Sequence, residues 1–482
     1  MPMPPSCGSL LNALLTVGAV LIVAVVVAPF TVLSVPTLED AAFKYLQKNV
    51  HGIQYVVGMK AIELRHMAYC LGDELGCMKA EISDDLASSF GWRPGFGLVA
   101  GPGSLAATHF ELLAFFSHEA YRERSYDPRA PRFRDLVVTL NTSIIPAGLM
   151  PENSPQVLLN YDSGSAEFTS RREMLAKAFP VLSKTSPAPE QVVRPPGVRA
   201  SDAAVFGNNW LPSEMKFSSL RPVVYNTVGL NLFKVLFNVE LAPEELELLL
   251  QYDALLSQVL RAGPVSPHEA ARLSEIRSRL LAKLESSEGT KRLNDTARER
   301  KLDPSSSLAE LLWMVLYAGY GGTASLTFEA LKFILQAPET RCQLFSNDTQ
   351  AFMLEVARLY PPPVTGLSPF PVQSATTHTL ESGREVKLLP GDVVLSLASI
   401  ANRDPILFED PKAFKPGRTN GDRLLSWHNE WRDFKDCPSV AGCPKAPRGC
   451  PGMFLSMRIA TKVVAYFVDG ITAAMDKEKK EL

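Results

Sequence analysis

The sequence predicts a mainly α-helical protein with a minor β-sheet, placed behind an N-terminal transmembrane helix. Three observations support this fold class. A long uncharged apolar run lies near the N-terminus, charged segments typical of helices fill residues 242–302, and the alternation typical of strands appears only late, from Glu385 onward. We therefore expect an anchor in residues 1–36 and one catalytic domain in residues 37–482.

The anchor prediction rests on the run from Leu10 to Leu33, which contains no charged residue. About 20 apolar residues are enough to cross the hydrocarbon core of a bilayer as a helix. A cleaved signal peptide is the alternative, but no Lys or Arg precedes the run. Lys44 and Lys48 follow it, which favours a cytosolic catalytic domain. We expect a single-pass membrane protein of the endoplasmic reticulum, with the plastid as the alternative.

The composition excludes several classes of function. The chain has 482 residues, and 49 basic residues oppose 51 acidic ones, so the net charge of −2 gives no basis for binding nucleic acid. Seven cysteines occur without repeated CxxC pairs, which argues against a four-thiolate zinc site. A disulfide scaffold is not expected in a chain of this size.

Several elements can be placed from local signals. Pro243 opens one predicted helix, and His268–Glu285 forms another. The alternation in residues 385–389 and 393–397 predicts two strands. Between them, Pro390-Gly391 predicts a hairpin turn.

A long apolar helix is predicted to follow Ser305–Ser307 and to run to about Gln336. Ser307 and Glu310 have the spacing of a capping box at its start. Each glycine in the middle of such a helix costs about 1 kcal/mol relative to alanine. A helix that accepts this cost is expected to bring its backbone close to a flat or bulky group. Tight helix–helix packing is the alternative. The glycines are Gly319, Gly321 and Gly322.

Motifs near the C-terminus follow one another in a fixed order. Glu355 and Arg358 are spaced to meet on one helical face. The segments Ala401-Asn-Arg-Asp-Pro and Phe414-Lys-Pro-Gly-Arg418 come next, and Arg448-Gly-Cys450-Pro-Gly452 is last. Each motif carries little information alone, whereas their order and spacing together are informative.

This combination resembles the cytochrome P450 superfamily over residues 300–470. The resemblance implies a haem-thiolate fold that binds haem b, with Cys450 as the axial ligand of the iron. It implies that Glu355, Arg358 and Arg418 form a structural triad that holds the loop carrying the cysteine. Gly452 would let this loop pass close under the porphyrin, and the glycine-rich helix would cross the opposite face.

The chemistry of the cysteine loop, residues 437–452, agrees with this resemblance. A thiolate ligand donates electron density that promotes O–O cleavage on the far side of the iron. Arg448 is placed to pair with a haem propionate, and Arg172 is a further candidate for that role. Cys443 is a competing ligand, but no glycine lies two residues after it, so Cys450 is preferred.

The distal helix departs from the pattern of oxygen-activating members, which carry an acid and an alcohol there. By offset these positions are Gly321 and Gly322, which leaves Thr323 as the nearby hydroxyl. The Gly-Gly pair resembles the allene oxide synthase and hydroperoxide lyase branch, although Ala318 stands where that branch typically has asparagine. This resemblance implies rearrangement or cleavage of fatty-acid hydroperoxides without a redox partner. Val364 is a further candidate for the substrate pocket.

Two other functions compete with this expectation. The first is an O2- and NADPH-dependent monooxygenase of a lipophilic substrate, which would require a reductase and suits a membrane anchor. The second is a non-enzymatic haem-binding protein, which is suggested by the altered loop between Cys443 and Cys450.

Overall fold

A computed structural model describes the regular elements and their neighbouring segments within residues 98–481. The described residues are 98–100, 112–115, 165–187, 192–193, 213–262, 267–360, 367–371, 376–379, 385–388 and 393–481, the last range without 399–401, 404–406, 428, 440–442 and 444–448. The chain divides into two compact units. One contains residues 1–116 and 372–394, and the other contains residues 117–371 and 395–482.

The second unit is predominantly helical, which confirms the mainly α prediction. Its helices are α1 (Ala166–Ala178), α2 (Ser213–Phe237), α3 (Pro243–Ala262), α4 (Pro267–Glu285), α5 (Glu288–Glu299), α6 (Pro304–Met314), α7 (Gly321–Leu335), α8 (Pro338–Asn347), α9 (Thr349–Leu359) and α10 (Met453–Glu481). A π-helical segment, Val315–Tyr320, joins α6 to α7.

The core of this unit lies where α2, α7 and α10 pack against one another. Each helix contributes side chains with no exposed surface, such as Phe233, Leu331 and Val464. Full burial of one such side chain stabilises the fold by about 1.5–3 kcal/mol. These three helices therefore form the rigid frame on which the candidate site is built.

Helix α5 approaches the end of α2 so closely that a glycine is required. A Cβ at Gly289 would lie 2.3 Å from the carbonyl oxygen of Leu236 and 2.8 Å from Cα of Phe237. Both of these atoms belong to the backbone and cannot rotate away. Ser287 caps the helix, because its Oγ accepts a hydrogen bond from the N–H of Thr290 at 3.1 Å.

Two predicted helix starts are confirmed, and one is wrong. Helices α3 and α4 begin at Pro243 and Pro267, where proline is favoured in the first turn. Ser307 is not a helix cap. Helix α6 already begins at Pro304, and the Ser307 hydroxyl donates to the Asp303 carbonyl at 2.8 Å from within the helix. A first-turn proline therefore sets the start of α6, rather than the serine.

The strands are short, as expected for a minor sheet. They are β1 (Leu98–Ala100), β2 (Leu112–Phe115), β3 (Leu367–Pro371), β4 (Thr376–Thr379), β5 (Glu385–Leu388), β6 (Val393–Leu397), β7 (Leu425–Ser426) and β8 (Asn429–Glu430). In the first unit, β1 pairs antiparallel with β2 and β4 with β5. In the second unit, β7 pairs antiparallel with β8.

The predicted hairpin at Pro390-Gly391 is wrong, although both of its strands exist. Strand β5 pairs with β4 in the register Thr376↔Leu388 to Thr379↔Glu385, and not with β6. Strand β4 is polar along its length, as are alternate positions of β5, whereas β6 reads Val-Val-Leu-Ser-Leu. A nearly continuous apolar run is typical of a strand buried on both faces, which does not match a polar ribbon.

The predicted anchor, within residues 1–36, lies outside the described residues. Among the helices that the structure does describe, none has the length and apolar character needed to cross a bilayer.

Candidate active site

Glu355, Arg358 and Arg418 come together in the structure as a buried ionic triad. The Nε and Nη2 of Arg358 donate to the two carboxylate oxygens of Glu355, each at 2.8 Å. The Nε of Arg418 donates to Glu355 Oε1 at 2.9 Å. Glu355 is 3% exposed and Arg358 is fully buried. Burial opposes ionisation of Glu355, but hydrogen bonds and charge from Arg358, with help from Arg418, bring its pKa below the usual value.

The triad also fixes the backbone that follows α9. Arg358 Nη1 donates to the carbonyls of Asn402 at 2.7 Å and Pro411 at 2.8 Å. The Nη2 groups of Arg358 and Arg418 share the carbonyl of Ala413, at 3.1 and 2.6 Å. Because these donors are charged, the bonds are stronger than those between neutral groups. Two arginines thus hold a loop that has little regular structure of its own.

Asn402 continues this network toward the cysteine. Its fully buried side chain donates to the Leu425 carbonyl at 2.8 Å and accepts from the Leu425 N–H at 2.6 Å. Two residues further on, the Trp427 carbonyl accepts a hydrogen bond from the Cys450 N–H at 3.0 Å. Trp427 has φ +51°, a conformation uncommon for a bulky residue, which is kept only when surrounding contacts enforce it. The triad is therefore connected to the cysteine through backbone hydrogen bonds.

Cys450 is partly exposed and lies at the amino end of α10. It is a free thiol, whereas its competitor Cys443 forms a disulfide with Cys437. Burial raises the pKa of the Cys450 thiol, and the backbone N–H groups of Gly452 and Met453 oppose this by favouring the thiolate. Cys443 is thus engaged with Cys437, and the role of Cys450 as the iron ligand stays a prediction.

Arg172 lies beside Cys450, on helix α1. It is 3% exposed, and its Nη1 donates to the Gly449 carbonyl at 2.8 Å. Its guanidinium stands over the ring of Phe168, 5.2 Å from the ring centroid. Burial lowers the pKa of Arg172 to about 10, and the nearby sulfur of Cys450 opposes this shift. The structure therefore brings Arg172 to the cysteine loop, and its predicted pairing with a haem propionate stays a prediction.

The distal candidates lie where the π-helical segment passes into α7. Ala318 belongs to the π-helical segment, and Gly321 and Gly322 are the first residues of α7. Thr323 is 1% exposed, and its hydroxyl donates to the hydroxyl of Ser456 on α10 at 2.9 Å. The hydroxyl predicted for the distal side is thus engaged with the helix that begins just after Cys450.

The sequence analysis missed a carboxylate that lies against Gly321. A Cβ built on Gly321 would stand 2.8 Å from Oδ1 of Asp253, which comes from α3. Asp253 Oδ2 accepts from Arg221 Nη2 at 3.0 Å. The Arg221 guanidinium stands over the Tyr225 ring, 4.6 Å from its centroid, and Tyr225 packs edge-on against Tyr320 at 5.8 Å.

Both of these tyrosines are held neutral. Burial raises the pKa of Tyr225, and the charge of Asp253 raises it further. The same two causes, in the same order, raise the pKa of Tyr320 well above its ordinary value. The cluster therefore contains one carboxylate, one guanidinium and two neutral phenols beside the glycines of the distal helix.

The described fold matches solved cytochromes P450. A myxobacterial cytochrome P450 in complex with myristic acid has a TM-score of 0.51, at 17% identity, over 82% of this chain and 88% of its own. The P450 haem domain of Tepidiphilus thermophilus has a TM-score of 0.50, at 16% identity, over 80% and 86%. No family model matches the sequence.

Curated relatives match a shorter part of the chain. The Drosophila melanogaster protein called probable cytochrome P450 28d1 is 30% identical over 148 residues, which are 31% of this chain and 25% of the relative. Over this segment of the sequence and in its described fold, the chain is similar to cytochromes P450. The dimethylnonatriene synthase of Arabidopsis thaliana is 33% identical over 122 residues, 25% of this chain and 21% of the relative. The matches therefore span about a quarter of the length of these relatives.

The residues present fit a haem. The free sulfur of Cys450 would hold the iron and Arg172 would supply positive charge beside it. A Cβ at Gly452 would have Cys450 Sγ, at 3.9 Å, as its one described neighbour within 4 Å, so the protein leaves room on this side of the sulfur.

Two predicted site residues lie outside the described residues. Arg448, the candidate propionate partner, falls within the range 444–448, and Val364, the candidate pocket residue, falls within 361–366. Their roles stay predictions.

Proposed function

We propose that this protein is a cytochrome P450 enzyme, an O2-dependent monooxygenase of a lipophilic small molecule, supplied with electrons from NADPH by a reductase. In such a reaction one oxygen atom enters the substrate and the other leaves as water. The observation that carries the proposal is the free Cys450 thiol, partly exposed and flanked by the N–H groups of Gly452 and Met453. A bound haem would supply the oxygen chemistry, and thiolate ligation favours O–O cleavage.

The protein's own residues would prepare the site for this chemistry. The N–H groups of Gly452 and Met453 stabilise the sulfur as an anion, and the charge of Arg172 acts in the same direction. The triad of Glu355, Arg358 and Arg418 keeps the sulfur in place through the loop that it holds. A ligand loop fixed in this way needs little rearrangement when haem binds.

Support for a monooxygenase also comes from the relatives. A structure of tirandamycin C bound to the P450 monooxygenase TamI has a TM-score of 0.50 against this chain, at 16% identity. The myristic acid in the myxobacterial structure is a lipophilic ligand of the kind proposed here. The apolar run from Leu10 to Leu33 adds the proposal of a membrane anchor, which would bring a membrane-bound reductase within reach.

The first test concerns the iron ligand. In purified protein loaded with haem, we expect the reduced carbon monoxide complex to have a thiolate spectrum that Cys450→Ala abolishes. Cys443→Ala is the matched control, since it removes a nearby sulfur that is engaged with Cys437. Loss of the spectrum in Cys443→Ala, with retention in Cys450→Ala, would overturn the assignment.

The second test concerns the reaction. With a reductase added, we expect NADPH consumption that rises on addition of terpenoid or fatty-acid substrates. A haem-loaded protein that never couples NADPH to a lipophilic substrate would contradict the monooxygenase proposal.

A second candidate function is favoured by Gly321-Gly322, which replaces the acid and alcohol of oxygen-activating members. The enzyme would then rearrange or cleave fatty-acid hydroperoxides without a redox partner, with Ala318, Gly322, Thr323 and Val364 as candidate pocket residues. It predicts that pure protein with haem, without reductant, removes the absorbance of a lipid hydroperoxide. Unchanged absorbance would exclude this function.

A further inference from the structure

The acid position of the distal helix is filled from another helix. By offset, Gly321 stands where oxygen-activating members carry their acid. Asp253, on α3, places Oδ1 only 2.8 Å from the point that a Cβ of residue 321 would occupy. A side chain at residue 321 and the carboxylate of Asp253 therefore compete for the same space. The glycine is what lets the carboxylate reach this position.

The surroundings of Asp253 pair its carboxylate with a guanidinium and almost close it off from water. Asp253 is 9% exposed, and it is paired with Arg221 at 3.0 Å. A buried carboxylate without such a partner would be strongly destabilising. The side chain of Arg221 is half-exposed, so the pair reaches from the protein surface to the backbone of α7.

The phenol rings of Tyr225 and Tyr320 lie near this ion pair. Their rings meet edge-on at 5.8 Å, and burial and the charge of Asp253 keep both in their neutral, proton-carrying form. Glu247 and Glu329 also add negative charge near these phenols. A carboxylate and two neutral phenol hydroxyls, all groups that can accept or donate a proton, thus lie near the distal glycine.

We propose that Asp253 is the relay carboxylate of this P450, in place of the acid missing at Gly321. Its Oδ1 accepts a proton from solvent on the side of Arg221 and releases it to water on the distal side of the haem pocket. The carboxylate is regenerated in each cycle, and no electron moves. This inference rests on the monooxygenase proposal, because a hydroperoxide substrate would not require the relay.

One experiment tests the position of Asp253 without any turnover. Denaturant unfolding of the holoenzyme is compared for wild type, Gly321→Glu, Asp253→Asn and the double variant. We expect Gly321→Glu to raise the unfolding equilibrium constant by about tenfold or more. The new side chain meets the carboxylate of Asp253, which is held in place by Arg221. In the Asp253→Asn background the same change should cost less, since the like-charge repulsion is gone. Strictly additive effects would overturn the proposed juxtaposition.

A second experiment tests the relay itself and needs no known substrate. Dioxygen consumption by the haem-loaded protein is driven by a reductase and NADPH, in water and in deuterium oxide. We expect Asp253→Asn to lower the rate by about a hundredfold and to change the solvent isotope effect. The double variant Asp253→Asn with Gly321→Glu restores an acid at the family's own position, so it should recover much of the rate. A merely structural role for Asp253 would give no such rescue.

Glu245→Gln is the matched control, because Glu245 is a paired carboxylate on the same helix but faces Lys283 instead of the distal glycines. We expect it to consume dioxygen at the wild-type rate. Wild-type consumption by Asp253→Asn overturns the relay and leaves the monooxygenase proposal standing. Absence of reductase-driven consumption in wild type, together with rapid loss of added lipid hydroperoxide, overturns the monooxygenase proposal and the relay with it.

Discussion

The two sides of the candidate haem site are built in different ways. On the side of Cys450, buried charges are matched by direct hydrogen bonds, as in the contact of Arg358 with Glu355. On the distal side, glycines leave space, and Asp253 enters that space from a separate helix. The first arrangement fixes a ligand in one geometry. The second places a carboxylate against a glycine of the distal helix.

This difference has an energetic consequence. A buried ion pair is strongly destabilising when one partner is removed, since the other charge is then left in a low-dielectric interior. The distal pair of Asp253 and Arg221 is partly solvated through Arg221, so its loss should cost less stability. Breaking the triad should therefore cost more stability than breaking the pair of Asp253 and Arg221, whose loss should mainly change activity.

The largest expected effect belongs to Arg358→Met. This change leaves the carboxylate of Glu355 buried with half of its hydrogen bonds, so we expect a loss of about 3–5 kcal/mol in the free energy of unfolding. The measurement is denaturant unfolding together with haem content. Arg298→Met is the matched control, because Arg298 forms an equally spaced pair with Asp295 on an exposed surface. Equal losses in the two variants would contradict the contrast between the buried and solvated pairs.

Next in size is Asn402→Ala, which removes both hydrogen bonds to the backbone of Leu425. Leaving a buried N–H and a buried carbonyl without partners should cost about 1–3 kcal/mol. Because the Leu425 segment leads to the Trp427 carbonyl that holds the Cys450 N–H, haem retention should fall as well. If the Asn402→Ala variant kept the stability and haem retention of the wild type, this would contradict the proposed connection between the triad and the cysteine.

The pH dependence of Glu355 gives a third prediction. Its pKa is lowered in the folded protein, so it binds protons less readily there than in the unfolded chain. The stability it contributes is present above the ordinary pKa of a glutamate and is lost as the pH falls through the lowered folded-state pKa. We therefore expect the difference in unfolding free energy between wild type and Glu355→Gln to shrink in acid. A difference that stays constant down to about pH 2 would contradict this.

The smallest effect is expected for Thr323→Val, which removes one hydrogen bond to Ser456. We expect a loss of about 0.5–1.5 kcal/mol in stability and little change in reductase-driven dioxygen consumption. Ser456→Ala should have the same stability effect, and the double variant should cost no more than either single change. A large loss of activity in Thr323→Val alone would assign the hydroxyl to the distal side after all.

The same contrast explains which features could be predicted from the sequence. Glu355 and Arg358 are separated by less than one helical turn, so their spacing alone predicts that they meet. The contact of Asp253 with Gly321 depends on how α3 packs beside the distal helix, which no local pattern records. The glycines indicated a close approach, and the structure identifies the approaching group as a carboxylate in addition to the expected haem face.

The pairing of β5 and the contacts of Asn402 also depend on residues that are distant in the sequence. Strands β5 and β6 were predicted from local alternation, but their pairing was wrong because partners are chosen by the whole sheet. Asn402 lies in a motif noted in the sequence. Its hydrogen bond to Leu425, however, depends on a loop that is held in place by the hydrogen bond from Arg358 to the Asn402 carbonyl. Local chemistry can thus be anticipated, whereas the partners of a side chain across the fold cannot.

The π-helical segment Val315–Tyr320 changes how the faces of α6 and α7 are aligned along the helix. One extra residue in a helix rotates everything beyond it by about 100° relative to an uninterrupted α-helix. The apolar stripe that α6 presents to the core is therefore out of phase with that of α7. Deletion of a single residue in this segment should therefore bring the two stripes into phase and change which side chains of α7 face α2 and α10.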